Sequence, residues 1–199
     1  MSGKMTRRGF LVSGVAVAAT AGSADDGGLA PVSLPGTPER TVPVLPAGAG
    51  GLRAFRARCV GCQLCVRACP EKVLRPSRVM KRFLLPEMGF EYGYCRPVCS
   101  RCAEVCPSGA IAPVSPEEKL RTHIGHVVFH ADRCIAARHK VTCTVCERHC
   151  PVKAITLVEG VPVLDAGKCI GCGACENLCP ARPLPAMTVD GYNVHLADI

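Results

Sequence analysis

Cysteine is the residue type in this chain whose number and spacing can do chemistry. The stretch that begins at Cys169 reads C-x2-C-x2-C-x3-C-P and ends at Pro180. Bacterial proteins use this spacing to ligate [4Fe–4S] clusters with thiolates. Because the fourth cysteine of such a segment ligates a different cluster from the first three, the segment needs a partner elsewhere in the chain.

Three further copies of the pattern lie upstream. One copy keeps the spacing unchanged, and the other two lengthen the first gap to three and eight residues. Together the copies use all 16 cysteines, which we predict to ligate four [4Fe–4S] clusters: Cys59, Cys62, Cys65, Cys69, Cys95, Cys99, Cys102, Cys106, Cys134, Cys143, Cys146, Cys150, Cys169, Cys172, Cys175 and Cys179.

An apolar pair also recurs four and five residues after the last cysteine in three copies: Val73-Leu74, Ala110-Ile111 and Ala154-Ile155. The fourth copy, Pro183-Leu184, keeps only the second member cleanly. A repeat that combines metal ligands with packing residues is far more specific than a single C-x2-C pair.

Three other interpretations of the cysteines are disulfides, structural zinc and radical chemistry. Disulfides do not require sets of four cysteines that end in proline, and zinc would leave one cysteine of each C-x2-C-x2-C surplus. The spacing of Cys95, Cys99 and Cys102 matches the triad of radical S-adenosylmethionine enzymes. However, Cys106-Pro107 follows at cluster spacing, and the 93 residues that remain are too few for the barrel that such chemistry needs.

The composition favours a small, loop-rich domain held together by metal. The 199 residues include five Phe, three Tyr and no Trp, together with 20 Gly and 17 Pro. Large apolar side chains therefore build little core, and cluster ligation has to supply folding free energy. The formal charge of +8 is offset by about −8 from four thiolate-ligated cubanes, so we expect no nucleic-acid partner.

The chain is predicted to have three parts. Residues 1–24 are a twin-arginine export signal, in which Arg7-Arg8 precedes a short apolar run. Residues 25–52, rich in Pro and Gly, are a linker, and 53–199 form the four-cluster domain. After the signal, no stretch is apolar for long enough to span a membrane.

The elements that must position the cysteines are short. Ser115-Pro116-Glu117-Glu118 predicts a capped helix, and mixed apolar and basic positions predict another over Glu71–Arg82. Strands are predicted at His126–His130 and Met187–Val189, and Ala154–Leu164 predicts a hairpin that turns at Glu159-Gly160. The aromatic residues of 81–94 either pack under the cluster loops or dock a partner.

With these features, the chain resembles the exported ferredoxin-type proteins of the NapG/MauM family. The long-gapped motif from Cys134 to Pro151 looks like the third motif of that family, and Cys106-Pro-Ser-Gly-Ala-Ile111 is similar to the end of its second. The resemblance implies an α+β fold of tandem bacterial-type ferredoxin-like modules, with short helices and small two-stranded sheets around four cubane clusters.

The same resemblance implies a function outside the cytoplasm. It implies a periplasmic electron carrier, not an enzyme, that is peripheral to the cytoplasmic membrane and is exported by the twin-arginine translocase. Its partners would be a membrane quinol dehydrogenase-type protein and a periplasmic reductase or cytochrome. The alternative is an electron-transfer subunit of an exported molybdenum oxidoreductase, since such subunits have the same order of four motifs.

The family fold also implies a nested pairing, in which outer motifs share clusters and inner motifs share clusters. The implied ligand sets are Cys59, Cys62, Cys65 with Cys179; Cys169, Cys172, Cys175 with Cys69; Cys95, Cys99, Cys102 with Cys150; and Cys134, Cys143, Cys146 with Cys106. A sequential pairing of the first motif with the second is the alternative, because only 18 residues separate Cys150 from Cys169.

Overall fold

The computed structural model describes residues 37–197, all within one compact unit, Pro31–Ile199. The helices are α1 (Leu52–Arg58), α2 (Leu64–Ala68), α3 (Arg101–Glu104), α4 (Pro116–Lys119), α5 (Ile135–His139), α6 (Val145–Arg148) and α7 (Ala174–Asn177), with 3-10 turns at Ala47–Ala49 and Met80–Arg82. The strands are β1 (Leu74–Pro76), β2 (Pro86–Met88), β3 (Thr122–Phe129), β4 (Ile155–Val158), β5 (Val161–Leu164) and β6 (Met187–Ala197). These short elements confirm the α+β prediction.

The strands form three separate two-stranded antiparallel sheets, β1–β2, β3–β6 and β4–β5. In the longest sheet, Val127 lies opposite Val189, and both side chains are buried. The β4–β5 hairpin turns at Glu159-Gly160, where both residues have positive φ, as a tight two-residue turn requires. The two predicted strands and the hairpin are confirmed, and β6 runs well beyond Val189.

Helix α4 begins as the sequence predicts. The Ser115 hydroxyl accepts a hydrogen bond from the Glu118 N–H at 3.2 Å, and the Glu118 carboxylate accepts one from the Ser115 N–H at 2.8 Å. This reciprocal capping box satisfies two backbone donors that a helix start leaves unpaired. Pro116 occupies the first helical position, where its missing N–H costs nothing.

The helix predicted over Glu71–Arg82 is wrong. Residues Leu74–Pro76 form a strand instead, in which Leu74 pairs with Met88, and Met80–Arg82 form a 3-10 turn. Pro76 disfavours the helical conformation for the residue before it, and it has no N–H to donate to a helix. Burial of the Leu74 side chain, of which only 4% is exposed, stabilises the strand more than the helical pattern of its neighbours stabilises a helix.

The linker prediction over 25–52 is wrong for its second half. Residues 38–46, here called the N-terminal strap, lie against the core, and Val44 and Leu45 are 0% and 1% exposed. The strap carbonyls accept hydrogen bonds from the Met88 and Gly191 amides at 2.8 and 3.0 Å. The packed domain therefore starts before residue 53. The predicted export signal and residues 25–36 lie outside the described residues.

The core lies beneath the cysteine loops. The apolar pairs Val73-Leu74, Ala110-Ile111 and Ala154-Ile155 are all buried, which confirms their predicted packing role. Among the described residues, Phe55 and Phe90 are the largest fully buried side chains of this core. Within residues 37–197, no helix has both the length and the apolar character needed to cross a bilayer.

Candidate iron–sulfur centres

The cysteines gather in four groups of four, which we name A to D. Group A is Cys59, Cys62, Cys65 and Cys106, which line one pocket. Group B is Cys69, Cys95, Cys99 and Cys102; burial raises the pKa of Cys95, and the charges of Cys99 and Cys69 beside it raise that pKa further. Group C is Cys150, Cys169, Cys172 and Cys175, which line a second pocket. Group D is Cys134, Cys143, Cys146 and Cys179, which line a third.

The nested pairing is therefore wrong, because each group joins motifs that are neighbours along the chain. The fourth cysteine of the second motif, Cys106, lies with Cys59 and not with Cys134, and Cys179 lies with Cys134 and not with Cys59. The physical reason is local packing: α2 packs on α3, and α6 packs on α7. Closing the short connections within each half of the chain costs less entropy than closing the whole chain.

Each motif uses one backbone plan to present its thiols. The third cysteine of every motif lies on a short helix, and the fourth follows the end of that helix: the helical cysteines are Cys65, Cys102, Cys146 and Cys175. In the fourth motif the loop bends at Gly171, where φ is +73°. A Cβ there would lie 2.7 Å from the Gly125 amide nitrogen, so the loop requires glycine.

Backbone amides donate to the sulfur of the last cysteine in three motifs. The Ile111 N–H donates to Cys106 Sγ at 3.4 Å, and the Ala154 N–H donates to Cys150 Sγ at 3.2 Å. In the fourth motif the Ala186 N–H donates to Cys179 Sγ at 3.3 Å. Such bonds stabilise thiolate charge and raise the reduction potential of a cluster.

The packing pair of the fourth motif is therefore Ala186-Met187, and the prediction of Pro183-Leu184 is wrong. Ala186 and Met187 are 3% and 2% exposed, like the pairs of the other motifs. By contrast, Pro183 is exposed and Leu184 is only partly buried. The segment from Arg182 to Pro185 acts as an insertion that moves the pair along the chain.

Burial makes the thiols hard to ionise without metal. It raises the pKa of Cys65 and Cys146 to about 11. It raises the pKa of Cys102 and Cys172 to about 12, and neighbouring cysteines add to each rise. Cys106 differs: burial acts to raise its pKa, but hydrogen bonds from Ile111, Ser108 and Ala110 lower it overall. Since iron binds thiolate, these sites need the positive charge of the metal to be stable as ligands.

The donor set fits [4Fe–4S] clusters. Each group offers four thiols from motifs whose sequence spacing is typical of cubane ligation, and a cubane held by four thiolates would carry single electrons. Within residues 37–197, no three His, Cys, Asp or Glu side chains form a site for a single metal ion. A cubane spreads its four thiolates over four irons, whereas one zinc ion would draw the sulfurs to within about 4 Å of each other.

The four groups follow one another in the order A, B, C, D. Cys65 of group A lies close enough to Cys102 of group B for its charge to add to the raised pKa of Cys102, because the two motifs exchange their fourth cysteines. Groups B and C meet at a backbone hydrogen bond of 3.0 Å from the Cys95 N–H to the Cys172 carbonyl. Groups C and D again exchange fourth cysteines, because Cys150 lies in C and Cys179 lies in D.

Two charged side chains beside the groups were not predicted from the sequence. Glu176, between two ligands of the fourth motif, is buried and pairs with Arg40 of the N-terminal strap. Lys119 Nζ donates to the Cys99 carbonyl at 2.6 Å and to the Arg96 carbonyl at 2.7 Å. A lone arginine in a Pro-rich apolar stretch is the only sequence signal for the first contact, and the second contact leaves no sequence signal.

Known proteins share this arrangement of cysteines. A family model described as the 4Fe-4S dicluster domain matches residues 58–110, 94–154 and 141–183. The chain is 35% identical over 157 residues to the methylamine utilization ferredoxin-type protein MauM of Methylorubrum extorquens, covering 67% of this chain and 66% of that protein. The protein of the same name from Paracoccus denitrificans is 30% identical over 194 residues, covering 88% and 84%.

A third relative is also named as a ferredoxin-type protein. The ferredoxin-type protein NapG of Escherichia coli is 31% identical over 179 residues, covering 77% of this chain and 75% of that protein. The residues matched by the domain model include every cysteine of groups A to D. The chain therefore belongs to the family of ferredoxin-type proteins that includes MauM and NapG, and it binds [4Fe–4S] clusters.

Proposed function

We propose that the protein is a periplasmic iron–sulfur relay with four [4Fe–4S] clusters. Electrons pass between a membrane quinol-oxidising partner at one end and a periplasmic reductase or cytochrome at the other. The observation that carries this proposal is the unbroken order of groups A to D, joined at its centre by the Cys95–Cys172 backbone hydrogen bond of 3.0 Å. An order of this kind has two ends, at groups A and D, and each end serves one partner.

The ligand sets support a carrier and not an enzyme. We assign one cluster to each group, so that four cysteines occupy the four irons of each cubane. No iron is then left open to bind a substrate. The protein's own contribution is to hold the cysteines, to donate amide hydrogen bonds to sulfur, and to place charged groups such as Lys119 beside the ligands.

The proposed location depends on the N-terminal sequence. Thr6-Arg7-Arg8-Gly9-Phe10-Leu11 precedes a short apolar run, which fits export by the twin-arginine translocase. That route carries proteins already folded around their cofactors, as four clusters would require. The names of the relatives, ferredoxin-type proteins of methylamine utilization among them, support a place in a respiratory or oxidative electron-transfer chain.

Metal analysis and cell fractionation test the proposal together. Protein purified without oxygen should contain about 16 iron and about 16 sulfide per chain. Stoichiometric zinc without iron would contradict the cluster assignment. The protein with Arg7 and Arg8 intact should reach the periplasm, and the Arg7→Lys, Arg8→Lys variant should stay in the cytoplasm. If both versions remain in the cytoplasm, the periplasmic function is wrong.

A further inference from the structure

We propose that the face around group A is a docking site for an acidic, one-electron redox protein. This face, here called the group A face, consists of the loop Val60–Leu64, the segment Met80–Leu84 and the basic residues beside them. The inference rests on the proposed function, since it names the chemistry of the partner that meets one end of the relay. One electron passes in each encounter, so that one protein is oxidised as the other is reduced.

Large apolar side chains lie open on this face. Val60 is 71% exposed, Met80 72% and Phe83 58%, and Leu64 and Leu84 are also exposed. The two segments are joined directly, because Gln63 Nε2 donates to the Leu84 carbonyl at 2.6 Å. The exposed residues therefore form one surface, and a cluster of this kind on a protein of few large apolar residues is typical of an interaction site.

A cluster ligand lies within the same surface. Cys62 is exposed, whereas the other cysteines are buried or partly buried. It lies between Val60 and Leu64, so a protein that covers these side chains also covers the ligand. A partner bound on this face would therefore lie next to a ligand of group A, as electron transfer requires.

The backbone of the face is held in an uncommon conformation. Gln63 and Leu84 both have φ of +63°, a left-handed region that residues with a Cβ rarely adopt. Holding such a residue there costs about 1 kcal/mol or more. At Leu84 this cost is accepted while 45% of the apolar side chain stays exposed to solvent.

The net positive charge of the chain lies in this region. Residues 52–84 contain nine Lys and Arg and one Asp or Glu, a net of +8. The whole chain has 24 basic and 16 acidic residues, also a net of +8, so the other residues balance to zero. Arg56, Arg58 and Lys81 are exposed, and they form no ion pair with any of the described residues. The group A cubane brings about −2, and Glu87 and Glu91 pair with Arg82 and Arg75, so the local excess is smaller than +8 but remains positive. An acidic partner is the complement of such a surface.

A protein fits this surface better than a lipid bilayer does. A bilayer surface accepts no electron, and it would cover the exposed ligand Cys62 against the transfer that the relay needs. An apolar centre with a charged rim is the usual anatomy of a protein interface. The basic rim steers an acidic partner and raises its association rate, while the apolar centre orients it.

Cytochrome c provides a matched pair of probes, because the native protein is basic and the succinylated protein is acidic with the same haem. The reduced, cluster-loaded protein is mixed with each probe in a stopped-flow instrument without oxygen. We expect faster reduction of succinylated cytochrome, at a rate that falls as salt screens the charges. The Arg58→Glu, Lys81→Glu variant should lower that rate at least 10-fold at low salt. The control Arg138→Glu, Lys140→Glu, far along the chain beside group D, should change it less than twofold.

A second variant tests the apolar centre without harming the fold. Leu84→Gly removes the side chain and suits the positive φ, so stability should be kept or raised while the rate falls even at high salt. Iron content and visible absorbance should match the parent in every variant. The proposal is overturned if the Arg58→Glu, Lys81→Glu variant and its control reduce the cytochrome at the same rate. It is also overturned if that variant keeps the parent rate and loses only binding to phosphatidylglycerol vesicles, which would assign the face to a membrane. If the iron-loaded parent reduces neither cytochrome, the relay itself is wrong, which is a distinct result.

Discussion

The buried ion pair between Arg40 and Glu176 should make a large contribution to stability. The Arg40 side chain is 7% exposed and that of Glu176 is 3% exposed. Glu176 also accepts a hydrogen bond from the Val189 N–H at 2.6 Å, and Arg40 Nε donates to the Val189 carbonyl at 2.9 Å. The guanidinium lies 5.4 Å from the centre of the Phe90 ring. Arg40→Met removes the only cation of this buried network and keeps its bulk.

The expected loss is about 3 to 5 kcal/mol, because a buried carboxylate is left without its partner. At about 3 kcal/mol, the unfolding rate rises roughly 150-fold if the whole loss appears in that rate. The assay is the bleaching of cluster absorbance in guanidinium without oxygen, which measures a rate because cluster loss is irreversible. The double variant Arg40→Met, Glu176→Gln should recover at least about 2 kcal/mol, since no unpaired charge remains.

The pH dependence provides a second check on this reasoning. Burial raises the pKa of Glu176, and Arg40 and the Val189 amide act against that rise. Without Arg40 the pKa rises further, so the folded variant binds a proton that the unfolded chain releases. Stability of the variant is then present at low pH and lost as pH rises through the folded pKa. A deficit under about 1 kcal/mol, or one that grows as pH falls, would refute the account.

Three further predictions concern the groups themselves. The double variant Cys59→Ala, Cys106→Ala should lose about 4 of about 16 irons, because both cysteines belong to group A. The double variant Cys134→Ala, Cys106→Ala should lose about 8, because its cysteines belong to two groups. Equal losses would contradict the sequential pairing. Gly171→Ala should remove about 4 irons, because its Cβ would lie 2.7 Å from the Gly125 nitrogen. The control Gly109→Ala has φ of +63° but open space around its Cβ, so it should keep all the irons and lose about 1 kcal/mol of stability. Lys119→Met should lower the reduction potential of the group B cluster by roughly 50 mV, because a positive charge favours the reduced cluster, whereas Lys140→Met should leave that potential unchanged. Redox titration followed by electron paramagnetic resonance measures both variants. An unchanged potential in Lys119→Met would refute the effect.

The sequence predicts whatever depends on residues close together along the chain. The cysteine spacing, the capping box at Ser115 and the turn at Glu159-Gly160 each depend on covalent geometry over a few residues. The apolar pairs such as Ala154-Ile155 are predicted for the same reason, because they lie at a fixed distance from a cysteine. An insertion before Ala186 is enough to displace the pair in the fourth motif.

Features that depend on distant contacts were not predictable in this way. Pro and Gly at 38–49 indicate a linker, and nothing nearby shows that Val44 lies against Met88. Leu74 is drawn into a strand by Met88, 14 residues away, against the helical pattern of its neighbours. The pairing of cysteines between motifs depends on which helices pack, and spacing within a motif carries no information on that choice.

The N-terminal strap has a consequence for the order in which the protein matures during synthesis. The strap leaves the ribosome before any of the sixteen cysteines, yet its partners Val189, Asp190 and Gly191 are made after all of them. Until β6 emerges, the Val42 carbonyl lacks its donor Gly191 and Arg40 Nε lacks its acceptor Val189, although Arg40 can already pair with Glu176. Closure of the fold therefore reports that every cysteine motif has been translated. In a chain interrupted before β6, residues 40–42 of the strap lack their bonds to Val189, Asp190 and Gly191, and nascent and complete chains are thereby physically distinguishable to any factor that binds extended segments.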